Sequence, residues 1–100
     1  MGLRWSRYQV YLVDYWRAML LPLVMTLGGI VARNIRRLRL ERGLTQEELA
    51  ARIRITRNYV GMIERQENSP TVAILERIAK ALGIDPARLF DEKAAGRKAE

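Results

Sequence analysis

One hundred residues, about half of them apolar, suffice for one small helical domain and leave no room for a second, catalytic one. Eighteen Lys and Arg against 11 Asp and Glu give a formal charge of +7, which favours an anionic partner, either nucleic acid or an anionic membrane. The absence of Cys and His removes disulfides, thiol nucleophiles and the usual zinc sites, and makes the cytoplasm the expected compartment.

Residues 1–30 form an extension unlike the rest, holding both Trp, three of the four Tyr and three of the four Met. Trp5, Tyr8, Leu12, Tyr15, Trp16 and Met19 share one helical face opposite Arg7, Asp14 and Arg17, which predicts an amphipathic helix ending at Pro22. Ala18 to Ala32 is uncharged, but a spanning helix needs about 20 residues, and Pro22 and Gly28-Gly29 interrupt this run. Asp14 and Arg17 also make it a poor secretory signal. The readings left open are an upstream extension before a start at Met25, an arm packing on the domain or a second subunit, and membrane contact through residues 1–24.

A domain is expected over residues 31–91. Val31, Ile35 and Leu38 point inward from its first helix, with Arg33, Arg36, Arg37 and Glu41 outward and Gly43 as the stop. Thr45 and Glu48 form a capping box, and Leu49, Ala50 and Ile53 then fall on one face. Thr56 offers a second N-cap eleven residues on, before an apolar face of Tyr59, Val60 and Ile63, with Arg57, Asn58, Gly61, Met62 and Arg65 on the other side. Two short amphipathic helices joined by a tight turn are the layout of a DNA-binding helix-turn-helix. A polar loop over 66–70 leads to Thr71, which caps a helix with the stripe Val72, Leu75, Ile78, Ala79 and Leu82, ended by Gly83. Asp85-Pro86 opens a short helix burying Leu89 and Phe90, and the charged tail 92–100 is expected to fray. The fold class is all-α, with five helices.

Arg39, Gly43-Leu44-Thr45-Gln46, Glu48-Leu49-Ala50, Val60, Ile63-Glu64-Arg65, Ser69-Pro70-Thr71 and the later Leu75, Ile78, Ala79, Leu82-Gly83 and Leu89-Phe90 form one pattern. It resembles the phage-repressor and Cro family, the lambda-repressor-like helix-turn-helix regulators also called the xenobiotic-response-element family. The resemblance implies a compact lambda-repressor-like domain, here with an N-terminal extension. Arg54 departs from the pattern: family members usually carry Gly there, at a turn that needs a left-handed backbone. The resemblance also implies a salt bridge between Arg39 and Glu64, and a backbone-clamp role for Gln46.

In a helix-turn-helix the second helix enters the major groove with its N-terminal part against base edges. Arg57 suits guanine and Asn58 suits adenine, Gly61 would allow close backbone approach, and Met62 could meet a thymine methyl. Gln46, Tyr59, Arg65, Asn68 and Arg36 are the phosphate candidates. The expected function is sequence-specific binding of double-stranded DNA by a transcriptional regulator, a repressor that occupies its operator as a homodimer. Leu89, Phe90 and the N-terminal arm are candidate dimer surfaces, with burial in the monomer core the stronger reading for Phe90. Alternatives are the antitoxin of a toxin–antitoxin pair, with a toxin or regulatory protein as partner, and a membrane-associated or protein-interaction adaptor. No catalytic residue, metal or cofactor is expected, and no effector pocket is evident.

Overall fold

Among the described residues, four threonines start the four longer helices, and each does so with its hydroxyl. The structure, a computed structural model, describes Ser6, Leu12, Tyr15 and residues 26–96. Thr26 accepts from the Gly29 N–H at 3.1 Å and opens α1, Leu27–Glu41. Thr45 and Glu48 complete a reciprocal capping box at 3.0 and 3.1 Å and open α2, Gln46–Ile53. Thr56 accepts from Tyr59 N at 3.1 Å before α3, Arg57–Glu64, and Thr71 from Ile74 N at 3.2 Å before α4, Val72–Leu82. Each bond satisfies one of the amide donors that a helix start leaves without a partner. A 3-10 segment η1, Pro86–Phe90, and a one-turn helix α5, Glu92–Ala95, follow. The described residues are thus all-α, with five α-helices and the 3-10 turn.

Ile35, Leu38, Leu49, Val60, Ile78 and Leu89 form the centre of the core, each almost fully enclosed. Burying each such side chain is worth about 1.5–3 kcal/mol, and no helix of 8 to 15 residues here would be stable without that shared interior. α2 and α3 pack closely together and both meet other helices, α3 lying on α1 and α2 on α4, while η1 and α5 close over α1.

Several positions differ from their sequence-based expectation. α1 begins at Leu27, four residues before the apolar periodicity becomes regular, because the Thr26 cap carries Gly28 and Gly29 into its first turn. Arg37 is not outward: it is 7% exposed, on the same face as Asn34, and its guanidinium reaches Glu41 at 2.9 Å. That face is covered because residues 92–95, expected to fray, instead fold onto α1 with Ala94 and Ala95 buried. Asn34 fastens the arrangement by donating to the carbonyls of Leu89 at 2.9 Å and Asp91 at 3.0 Å. Of the two residues expected to be buried by the segment after Asp85-Pro86, Leu89 is enclosed but Phe90 is 42% exposed. A 3-10 turn advances each residue by a third of a revolution, so neighbours cannot both face the core. Val72, assigned to the α4 stripe, is 73% exposed in the first turn of that helix.

The amphipathic helix expected over Trp5 to Met19 and its break at Pro22 lie outside the described residues, apart from Leu12 and Tyr15, which are helical and exposed. Residues 97–100 of the tail also lie outside them. Among the described residues, no helix is long and apolar enough to cross a membrane.

Candidate nucleic-acid interface

The turn between α2 and α3 is set by Arg54, which adopts φ 57° and ψ 47°. In that left-handed conformation its N–H turns back to the last carbonyls of α2, and Ile55 N closes on Ala50 O at 3.0 Å. A side chain at such an angle costs about 1 kcal/mol relative to glycine. The turn leaves Thr56 ready to cap α3, so that Arg57 and Asn58 occupy its exposed first turn.

Behind this turn, a buried ion pair holds α3 to α1. Arg39 Nε lies 2.8 Å from Glu64 Oε2 and Nη2 lies 2.9 Å from Oε1, with the two side chains 8% and 4% exposed. The remaining Nη1 donates to Leu44 O at 2.7 Å, fixing the connection into α2. Gln46 Nε2 also donates to Glu64 Oε1, at 3.4 Å. One carboxylate therefore gathers α1, the start of α2 and the end of α3, and the Gln46 amide is turned toward it.

Arg57 is exposed and makes no hydrogen bond or ion pair among the described residues, and Asn58 touches only the Met62 sulfur, at 3.7 Å. Arg57, Asn58 and Met62 thus share one accessible side of α3, while Tyr59 is half-buried against the core. Gly61, expected on the open side, is buried: a Cβ there would lie 2.8 Å from Arg65 Nη1, so the Arg65 side chain lies across it. Arg65 is in turn held by Glu67, at 2.9 and 3.1 Å. Their hydrogen bonds hold the Glu67 carboxyl below the usual carboxylate range and raise the Arg65 guanidinium further. Asn68 is half-buried in the following loop, its N–H donating to Met62 O at 3.3 Å. Arg36 is exposed on α1 and is not hydrogen-bonded to the α3 residues.

Sequence reasoning did not anticipate Gln66, which takes φ 61° just past the Arg65 C-cap of α3 and lays its amide 3.2 Å from where a Gly29 Cβ would be. Nothing in a glutamine signals a left-handed residue, although the glycine it lies against stands in the sequence. A cavity of about 330 Å3, also not evident from sequence, opens between the start of α1, the 66–70 loop and Phe90. Its walls come from residues far apart in the chain. Among the described residues, no cluster of three or more Asp and Glu side chains is placed to hold a metal ion.

Two short capped helices locked at a tight turn, with an accessible polar face at the start of the second, define a DNA-binding helix-turn-helix regulator. The chain belongs to the helix-turn-helix family, which matches residues 35–89. It is 42% identical over 65 residues to the HTH-type transcriptional regulator y4dJ of Sinorhizobium fredii, covering 65% of this chain and 84% of that one. It is 38% identical to the immunity repressor protein of Bacillus phage phi105, over 63% of this chain and 44% of the repressor. The fold is similar to that of the restriction-modification controller protein C.AhdI from Aeromonas hydrophila, with a TM-score of 0.61 and 35% identity, over 63% of this chain and 96% of that structure.

Proposed function

We propose that this regulator is a repressor that binds a specific double-stranded operator as a cytoplasmic homodimer and acts by occupying it. The observation that carries this reading is the first turn of α3. Arg57 stands exposed and unengaged beside Asn58, and these two side-chain types make the bidentate contacts that distinguish guanine and adenine in the major groove. Met62, one turn on, extends that face toward thymine methyls, while Gly61 contributes by giving Arg65 room. Arg65, Asn68, Arg36, Tyr59 and Gln46 are assigned to the phosphates flanking the groove, where contacts fix register without reading sequence. For Arg65 this means exchanging the Glu67 carboxylate for a phosphate, and for Gln46 leaving a long bond to Glu64.

Similarity to a phage immunity repressor supports repression rather than activation. Phe90, at 42% exposure, and Leu27, at 60%, supply apolar surface for a second subunit. In such a dimer the two α3 helices would read half-sites about 34 Å apart, one turn of DNA. Selection from random duplexes at near-physiological salt tests the reading. Enrichment of one short, twofold-related site is expected, and recovery of unrelated sequences bound with steep salt dependence would contradict it.

A further inference from the structure

Between the C-terminal end of α2, the turn after it and α4 lies a groove of about 470 Å3. It is lined by Arg52, Ile53, Arg54, Arg77, Lys80 and Ala81, four cations and two aliphatic side chains without a carboxylate. The four cations come from two stretches of sequence that only the packing of α4 on α2 unites. Arg77 donates to the carbonyl of Ile53, at the end of α2. Arg52, Arg54 and Lys80 form no ion pair among the described residues. Glu48, one turn before Arg52, feels its charge, but neither Glu48 nor Glu76 lines the groove. Like charges around one concavity with low-dielectric walls focus a positive potential that nothing in the lining neutralises.

No residue of α3 lines this groove, and α3 rests on α1 and α2. The cations therefore stand on the flank of α2 that meets α4, with Arg54 in the turn that leads to Arg57, and neither Arg57 nor Asn58 lines the groove. Ala81 and the mostly enclosed Ile53 lie among the cations, in a volume within the range of ligand clefts, so a carboxylate-bearing chain would find a small apolar contact beside the charges. We propose that this groove binds an acidic segment of a partner protein, with carboxylates paired to Arg52, Arg54 and Lys80 and an aliphatic side chain on Ala81, while α3 occupies DNA. The simultaneous occupation rests on the function proposed above. The groove's own preference for an acidic peptide does not.

The test uses the full chain, a fluorescently labelled peptide of glutamates and leucines, duplex DNA, and an Arg52→Gln, Lys80→Gln variant whose altered positions are exposed. The peptide is expected to bind the free chain and the DNA complex equally, and to bind the variant about tenfold more weakly. DNA affinity and its salt dependence should match between variant and parent. A salt slope reduced by nearly two in the variant, at about 0.9 per phosphate contact, would overturn the proposal and make the groove a DNA-backbone contact. Equal peptide binding by variant and parent, or release of the peptide by DNA, would overturn it as well. Peptide binding that depends on Arg52 and Lys80 in a chain that binds no duplex would uphold the groove and refute DNA binding instead.

Discussion

Arg39 spends its whole guanidinium in one place: two nitrogens on the Glu64 carboxylate at 2.8 and 2.9 Å and the third on the carbonyl of Leu44 at 2.7 Å. This pair sets how α3 sits against α1 and how the chain enters α2. Buried ion pairs add little net stability over an apolar pair of the same shape, but stranding one partner is expensive. Glu64→Ala is expected to destabilise the fold by about 3–5 kcal/mol in urea denaturation. Arg39→Met combined with Glu64→Leu should cost less than either single change. A Glu64→Ala midpoint equal to that of the parent would show that the pair does not hold α3.

Arg54 carries backbone strain at φ 57°. Arg54→Gly should therefore stabilise the fold by about 1 kcal/mol, less whatever the unfolded chain gains in freedom. Differential denaturation of parent and variant measures it. A clear loss of stability would mean that the Arg54 side chain makes a contact worth more than the strain.

Asn34 joins distant parts of the chain through the carbonyls of Leu89 and Asp91. Asn34→Ala leaves both carbonyls short of a donor, for a predicted loss of about 2–4 kcal/mol. Hydrogen exchange should show the amides of η1 and α5 opening first. Unchanged protection over residues 86–95 would count against this account of how the C-terminal segment is held.

Acid should weaken the start of α2. Hydrogen bonds from the backbone N–H and hydroxyl of Thr45 hold the Glu48 carboxyl below its ordinary value of 4.5. A depressed carboxyl adds stability that is fully present above pH 4.5 and is lost as the pH falls through its folded-state value. The stability difference between the parent and Glu48→Gln, followed by thermal unfolding, should thus shrink as the pH drops below 4.5. A difference that stays constant across that window would remove the ionised carboxylate from the cap.

Much of this architecture was legible because it is written locally. Thr45 with Glu48, Thr56, Thr71, Gly43 and Gly83 announce helix ends through chemistry confined to a few neighbouring residues, and the structure caps helices at these places. The inward stripes of α1 and α2 follow from periodicity in the same way. What failed was decided by side-chain placement and packing that periodicity does not carry. Arg37 is buried because the C-terminal turn folds over α1, and Phe90 faces outward because its neighbour Leu89 takes the core-facing position of that short turn. Gly61 looked like an open site until a side chain four residues later was seen lying across it. The exposed start of α3 was readable, since a cap fixes which residues begin a helix. The basic groove was not, since it exists only where α4 meets α2.

The most direct test of the central claim is the affinity of the parent and an Arg57→Ala, Asn58→Ala variant for a selected duplex and for a scrambled one, at fixed salt. Base reading by the first turn of α3 predicts a loss of about 1–3 kcal/mol per contact on the selected duplex, with little change on the scrambled one. Equal losses on both duplexes, or none on either, would contradict it.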